Sequence, residues 1–143
     1  MQQVRAAYEK LKDGGKGEDA IQYLSRVVET KEAERSDRAS RHLERIVGVE
    51  FVARACLAAE YGSQGRNYEA LQALDHCEGL LISNIEVVSP GFLAKDWLEL
   101  GRLSFDLGFP FAALRRVDFG LKADRENEEV RELQRKIDRK SVV

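Results

Sequence analysis

The chain has 143 residues, of which 43% are hydrophobic and 34% charged, and its formal net charge is −2. This size and composition fit one soluble domain and lack the basic excess that binding to phosphate groups requires, so we do not expect a nucleic-acid partner. No run of about 18 apolar residues is present, and no signal-peptide core follows Met1, so we expect a cytoplasmic protein without membrane insertion.

Residue types predict an all-α fold of about seven helices. The chain has two prolines, and Ala, Leu, Glu, Arg and Lys, which favour helices, dominate its periodic stretches. Apolar residues recur three and four positions apart, whereas the alternation typical of strands is absent. A sheet is therefore not expected.

One spacing occurs three times: a glycine, four residues, then an alanine followed by an aliphatic residue. The copies are Gly15 with Ala20, Gly65 with Ala70, and Gly108 with Ala113. A glycine can end a helix in the left-handed conformation without strain, and an alanine lets two helices cross closely. We therefore predict three antiparallel helix hairpins, each closed at the glycine and crossing most closely at the alanine.

The third copy also carries Trp97-x2-Leu100-Gly101, so the composite pattern resembles the tetratricopeptide repeat. The resemblance implies hairpins stacked in a right-handed superhelix within a single domain over 1–143. The predicted segments are repeat one over about 1–34, an insertion over about 35–50, repeat two over about 51–84, a linker over 85–89, repeat three over about 90–125 and a capping helix over about 127–140.

The first insertion keeps the residue types of a helix. Leu43, Ile46 and Phe51 continue an apolar stripe, and Ser36 or Asp37 could act as an N-cap. We predict that the second helix of repeat one and the first helix of repeat two both run past their usual ends. They then meet at a polar tip near 35–38 and form an arm.

The second insertion is unusually apolar for a connection. We predict that a helix ends near Asn84 and that Ser89 caps a helix whose first residue is Pro90. The apolar residues over 80–88 would cover the ends of neighbouring hairpins, with a self-association surface as the alternative. We expect Phe109 and Phe111, in the third turn, to pack against this segment, with an exposed aromatic contact as the alternative.

A last helix is predicted after the third repeat. Asn127 is placed to cap it, and acidic residues in its first turn and basic residues in its last turns complement the helix dipole. Val130, Leu133 and Ile137 form a narrow apolar stripe. We expect one face of this capping helix to dock while the rest stays in contact with water.

No catalytic or metal-binding pattern is evident. Cys56 and Cys77 lie at apolar helical positions and are interpreted as core residues, while His42 and His76 lack the short paired spacings of zinc sites. The alternatives are a metal site formed by these four residues or a Cys–His pair across helices. We expect no enzyme activity, no cofactor and no metal.

The resemblance implies a non-catalytic adaptor or scaffold that holds a segment of a partner protein in a concave groove lined by the first helix of each repeat. The candidate groove residues, taken from the helical register, are Arg5, Glu9, Lys12, Ala55, Ala59, Lys95, Leu98, Arg102 and Phe105. The alternative is a structural subunit that self-associates through the arm and the apolar surface over 80–88.

A narrower function can be compared with the family pattern. Tetratricopeptide receptors for chaperone tails hold a terminal carboxylate with five Lys, Asn and Arg side chains. The matching positions here are Arg5, Glu9, Cys56, Lys95 and Glu99. Two carboxylates would repel the ligand, and a thiol cannot replace the hydrogen bonds of an amide, so a chaperone-tail receptor is disfavoured.

Overall fold

The computed structural model describes residues 2–37, 42–86, 88 and 90–141. Across these residues the regular structure is entirely α-helical, so the predicted all-α fold is confirmed. The seven helices that they form are α1 (Gln2–Asp13), α2 (Gly17–Ser36), α3 (Leu43–Ser63), α4 (Asn67–Ser83), α5 (Pro90–Asp106), α6 (Pro110–Ala123) and α7 (Glu128–Ser141). The right-handed superhelical stacking stays a prediction.

The chain divides into two compact units, Met1–Val87 and Val88–Val143. In the first unit, α2 packs against α1 and α3, α1 also contacts α3, and α4 packs against α3. In the second unit, α5 and α6 form a pair, and α7 packs against both of them. Helix α7 therefore packs against both helices of the α5–α6 pair, just as α3 packs against both α1 and α2. The single domain over 1–143 stays a prediction.

Helices α1, α3 and α5 are each followed by a turn of the same type. Its glycine has a positive φ in each copy: 71° at Gly15, 72° at Gly65 and 92° at Gly108. In the first turn the Lys16 N–H donates to the Leu11 carbonyl at 2.9 Å, and the Gly15 N–H donates to the Lys12 carbonyl at 3.0 Å, which is the Schellman pattern. The bonds equivalent to the first are Arg66 to Tyr61 at 2.8 Å and Phe109 to Ser104 at 2.9 Å. The predicted glycine closure is confirmed.

The alanine of each copy is the fourth residue of the next helix. The N–H groups of Ala20, Ala70 and Ala113 donate to the carbonyls four residues earlier, at 2.9, 3.0 and 2.9 Å. All three alanines are buried. Their burial agrees with the predicted position at the closest approach of the two helices, where a larger side chain would separate the axes.

The helices flanking the first insertion are long, as predicted. Helix α2 has 20 residues and α3 has 21, compared with 12 in α1. The predicted N-cap is wrong, because Ser36 is the last residue of α2 and its hydroxyl donates to the Glu32 carbonyl at 2.9 Å. Asp37 caps the C-terminus of α2, and His42 precedes α3. Arg38, in the predicted tip, lies outside the described residues.

A buried carboxylate joins the extended halves of α2 and α3. Glu50 is fully buried and accepts hydrogen bonds from the Arg35 Nε at 2.8 Å and the Arg54 Nε at 2.9 Å. Arg54 also pairs with Glu32 on α2, at 3.3 Å. The hydrogen bond to Glu50 raises the pKa of the Arg35 guanidinium. Two charge-assisted contacts thus compensate the burial of Glu50 and link the two helices.

Close packing around two glycines defines the second unit. Trp97 is buried and stacks on Phe119, with ring centroids 4.8 Å apart. A Cβ atom added at Gly101 would lie 2.8 Å from a Val117 methyl group, and one at Gly120 would lie 3.1 Å from the Trp97 Cβ. Glycine therefore lets α5 and α6 approach each other at these two positions.

Helix α7 begins and docks as predicted. The Val130 N–H donates to the Asn127 Oδ1 at 3.1 Å, which confirms Asn127 as the cap. Val130, Leu133 and Ile137 are all buried in one cluster with Leu98 and residues of α6. The rest of α7 carries mostly exposed charged residues.

The second insertion combines buried and exposed apolar residues. Leu80, Leu81 and Val88 are buried, whereas Ile82 and Ile85 are 45% and 50% exposed. Helix α4 ends at Ser83 and α5 begins at Pro90, both as predicted. The predicted cap Ser89 lies outside the described residues, as does residue 87 of the predicted linker.

The expected packing of Phe111 against the second insertion is wrong, because this side chain is 81% exposed. It lies in the first turn of α6, whereas Ala113 turns inward from that same turn.

No helix within the described ranges combines the length and apolar character needed to cross a membrane.

Candidate functional site

The predicted groove residues of α1 share one exposed face. Arg5, Glu9 and Lys12 are spaced four and three residues apart and all three are exposed. The other side of α1 buries Val4 and Tyr8. This helix therefore presents a charged stripe that a partner could contact.

The predicted groove residues of α3 are less accessible. Ala55 is 3% exposed and Ala59 is partly buried. Helix α3 packs against α1, α2 and α4, so most of its circumference is covered. Ala55 therefore belongs to the helix packing rather than to an accessible groove.

Helix α5 contributes two exposed cations and two side chains that are at least partly buried. Lys95 and Arg102 are exposed, and Phe105 is partly buried. Leu98 is 5% exposed and belongs to the core cluster that includes Val117 and Ile137. Leu98 therefore stabilises the second unit and does not line an accessible groove.

A cleft of about 250 Å³ lies between α5 and α7, and we call it the α5–α7 cleft. Its lining residues are Arg102, Phe105, Asp106, Glu129, Glu132, Leu133 and Lys136. The ammonium groups of Lys136 and Lys140 lie 6.0 and 5.7 Å from the centroid of the Phe105 ring, within cation–π range. The structure thus brings Arg102 and Phe105 together with side chains of α7.

Sequence reasoning does not identify the contribution of α7 to this cleft, because the residue pattern indicates only a capping helix. A signal was present, because Lys136 and Lys140 are four residues apart and therefore share one helix face. The α5–α7 cleft has an apolar base, Phe105 and Leu133, beneath charged groups of both signs. Such a lining suits a peptide with an apolar anchor and polar flanks.

A larger cleft, of about 550 Å³, lies in the first unit, and we call it the arm cleft. Its lining residues are Gln3 and Val4 of α1, Val27, Lys31 and Glu34 of α2, and His42, Arg45, Ile46 and Val49 at the start of α3. None of these nine was among the predicted groove residues. The sequence predicted the long helices that form its walls, but not which of their residues stay uncovered.

A buried polar cluster joins α1, α2 and α3. Glu60 is 4% exposed and accepts hydrogen bonds from the Tyr8 hydroxyl at 3.3 Å, the Ser63 hydroxyl at 3.2 Å and the Gln64 Nε2 at 3.3 Å. A Cβ atom at Gly17 would lie 2.6 Å from the Glu60 Oε1, so the carboxylate lies against the first residue of α2. The partial positive charge of that helix end complements the buried charge.

Burial, and next the neighbouring Glu60 carboxylate, raise the pKa of the Tyr8 hydroxyl. In the folded chain the Tyr8 hydroxyl therefore stays protonated at pH values above its usual pKa, and it acts as a hydrogen-bond donor. The cluster around Glu60 orients α1 on α3. Sequence reasoning missed it because Tyr8 and Glu60 are 52 residues apart.

Both cysteines occupy core positions. Cys56 and Cys77 are buried and form no disulfide, which confirms their interpretation as core residues, while His42 and His76 are exposed. Within the ranges that the structure describes, no group of three or more His, Cys, Asp or Glu side chains could hold a metal ion.

No family model matches this chain, and comparisons with the curated proteins and the solved structures likewise give no match. The resemblance to tetratricopeptide repeats therefore depends on the residue pattern, alongside the turn geometry described above.

Proposed function

We propose that this protein is a non-catalytic interaction module of the tetratricopeptide type, which acts as an adaptor or scaffold by binding a segment of a partner protein. The observation that carries this proposal is the same glycine-closed, alanine-packed hairpin occurring three times. Modules of this type bind extended or helical segments along their first helices. The proposal includes a cytoplasmic location and requires no cofactor.

Two surfaces support binding. On α1, Arg5, Glu9 and Lys12 form an exposed charged stripe. In the second unit, the α5–α7 cleft provides an apolar base beside the exposed Arg102. A partner segment with an apolar side chain flanked by charges of both signs matches this cleft, because its anchor would cover Phe105 while its flanking groups meet both the cations and the carboxylates of the lining.

Capture from native lysate with cross-linking tests this proposal. The test variant combines Lys95→Glu with Arg102→Glu, and the matched control combines Lys10→Glu with Arg26→Glu, which makes the same charge change at exposed sites elsewhere. We expect the test variant to lose at least tenfold of the cross-linked partner and the control to lose less than twofold. Equal capture by both variants would exclude α5 as the binding element.

Self-association is the second candidate function, favoured by the exposure of Ile82 and Ile85 near the end of α4. If these residues form an interface between copies, Ile82→Asp combined with Ile85→Asp should convert an oligomer to a monomer in sedimentation. The same variant should leave partner capture unchanged. A chain that already sediments as a monomer at high concentration removes this candidate.

A receptor for chaperone tails is not part of the proposal. Cys56, at one of the five positions that would hold the terminal carboxylate, is only 4% exposed. Glu9 at a second position is exposed and would repel that carboxylate.

A further inference from the structure

The last two turns of α2 lack apolar packing. Val28 is the last buried residue of this helix, and residues 29–36 follow it. All of residues 29–36 are described, none of their side chains is buried, and Ala33, the only apolar residue among them, is exposed. We call residues 29–36 the strap. Burial of apolar surface therefore stabilises the first part of α2 but not the strap.

Two ion pairs connect the strap to α3. The Arg35 Nε donates to the Glu50 Oε1 at 2.8 Å and the Arg35 Nη2 to the Glu50 Oε2 at 3.3 Å, while Glu32 pairs with Arg54 at 3.3 Å. The Glu32 side chain is 55% exposed, so water and salt screen its contact. Glu50 is fully buried, and its two bonds from one guanidinium are charge-assisted. The contact between Arg35 and Glu50 is therefore the stronger of the two.

Glu50 keeps a partner when the strap moves away. Arg54 lies four residues after Glu50 on the same helix, and its Nε donates to the Glu50 Oε2 at 2.9 Å. This bond lies within α3, so a movement of α2 does not break it. Removing the partner of a buried charge is costly because the charge is left uncompensated. Since Arg54 remains, opening the strap costs less than breaking an isolated buried pair.

The strap has few interactions of its own that would keep it helical. In proteins most of the stability of a helix comes from packing of an apolar face, and the strap has no such face. Glu34 lies in the last turn of α2, where the helix dipole disfavours a negative charge. Its pair with Lys31 at 3.1 Å is partly exposed and contributes little. A strap released from α3 should therefore unwind.

We propose that the strap is a latch, which opens and closes as a unit while the rest of the first compact unit stays folded, and that the contact between Arg35 and Glu50 holds it closed. In the closed state the strap is helical and covers Glu50. In the open state it is unwound, and Glu50 and Arg54 become accessible. Segments of this kind, ordered by a few polar contacts, are the elements that conformational switches use.

Amide hydrogen exchange of the full chain, followed by mass spectrometry, tests the latch. Residues 21–28 of the same helix provide the reference, because Ile21, Leu24 and Val28 are buried there. We expect the amides of the strap to exchange at least tenfold faster than those of 21–28. Low concentrations of urea should accelerate exchange over 21–28 but hardly change it in the strap, because local opening exposes little surface.

Two variants remove the contact from opposite sides. Arg35→Met removes the guanidinium of the strap, and Glu50→Gln changes α3 alone while keeping the shape of the side chain. Each should raise the ratio of strap exchange to exchange over 21–28 at least tenfold. Arg26→Met, the matched control at an exposed position of α2 before the strap, should change this ratio less than twofold. The ratio also separates the latch from global stability, since a general loss of stability accelerates both segments together.

The double variant shows whether Arg35 and Glu50 act as a pair. Because both substitutions remove the same contact, the double variant should exchange no faster in the strap than the more strongly affected single variant. Effects that multiply fully in the double variant would overturn the pairing. Equal exchange of the two segments in the wild type, or an unchanged ratio in Glu50→Gln, would show that the strap does not open as a latch held by this contact.

Discussion

Two glycines inside helices of this protein differ in whether their surroundings leave room for a side chain. Gly101, in α5, lies where a Cβ atom would approach a Val117 methyl group to 2.8 Å and a Leu133 methyl group to 3.4 Å. Gly79, inside α4, has no atom within 4 Å of the same position and is exposed. Both residues are helical, so the same substitution separates packing from helix propensity.

We expect Gly101→Ala to lower the free energy of unfolding by about 1–3 kcal/mol, because the added methyl group overpacks the junction of α5, α6 and α7. Gly79→Ala, its matched control, should raise that free energy by about 0.5–1 kcal/mol through helix propensity alone. Urea denaturation of both variants checks this. A Gly101→Ala chain as stable as Gly79→Ala would mean that the three helices are less tightly packed than described.

The Tyr8 hydroxyl should make stability depend on alkaline pH. In the unfolded chain it ionises near pH 10, whereas burial and Glu60 raise its pKa in the folded chain. Above about pH 10 the unfolded state therefore binds fewer protons than the folded state, and stability falls as pH rises. Below that pH the contribution is fully present.

Tyr8→Phe tests this dependence. At pH 7 the variant should be less stable by about 1 kcal/mol, the usual contribution of one hydrogen bond. As the pH rises above about 10 the difference between the two chains should shrink, because only the wild type has this buried hydroxyl. Denaturation curves at pH 7, 9 and 10.5 measure it. A constant difference across this range would contradict the raised pKa.

Among the elements, the hairpin turns are the most strictly determined. At Gly65 the φ angle is 72°, and nothing lies within 4 Å of the point that a Cβ atom would occupy, so any cost of substitution comes from the backbone. We expect Gly65→Ala to destabilise the chain by about 1–2 kcal/mol. Gly65→Asn should cost less, since asparagine tolerates this conformation. Thermal denaturation ranks the three chains, and equal stability of the Ala and Asn variants would contradict this origin of the cost.

The elements also show what sequence reasoning can reach. The glycine turns, the long α2 and α3 and the cap at Asn127 were predicted because each depends on local backbone preference. The cap assigned to Ser36 was wrong, since a serine hydroxyl can instead bond to the carbonyl four residues back when the helix continues. The contacts of Glu50 with Arg35 and Arg54 were not predicted, because they depend on how two helices face each other.

For the candidate site, the helical register alone was not sufficient. It placed Arg5, Glu9 and Lys12 correctly on an exposed face, because α1 is covered on one side only. It failed for Ala55, on a helix that contacts three others, and for Leu98, in the core of the second unit. The register along one helix indicates the face on which a side chain lies. Whether that face is accessible depends on neighbouring helices, which the register does not specify.

At the scale of the whole molecule, each compact unit has its own buried residues, and the single tryptophan, Trp97, lies in the second. Its fluorescence therefore reports on α5, α6 and α7. Val117 is fully buried there. We expect Val117→Ala to lower the stability detected by Trp97 fluorescence by about 1–3 kcal/mol through lost packing.

Chemical denaturation with fluorescence detection measures the effect of Val117→Ala. Thr30→Ala, at an exposed position of α2, is the control and should stay within about 0.5 kcal/mol of the wild type. A Val117→Ala chain whose fluorescence transition matches the wild type would contradict the assignment of Val117 to the core around Trp97.

The repeated turn leaves most of its own positions chemically unconstrained. Its backbone bonds require a glycine and favour a small alanine five residues later, but the residue three after each glycine is Glu18, Tyr68 or Phe111 in the three copies. All three lie at the same place on a common scaffold, so exchanging them would alter what a neighbouring molecule encounters without altering the path of the chain. The side chain presented at this point can therefore differ between the three copies while the backbone of the turn stays the same.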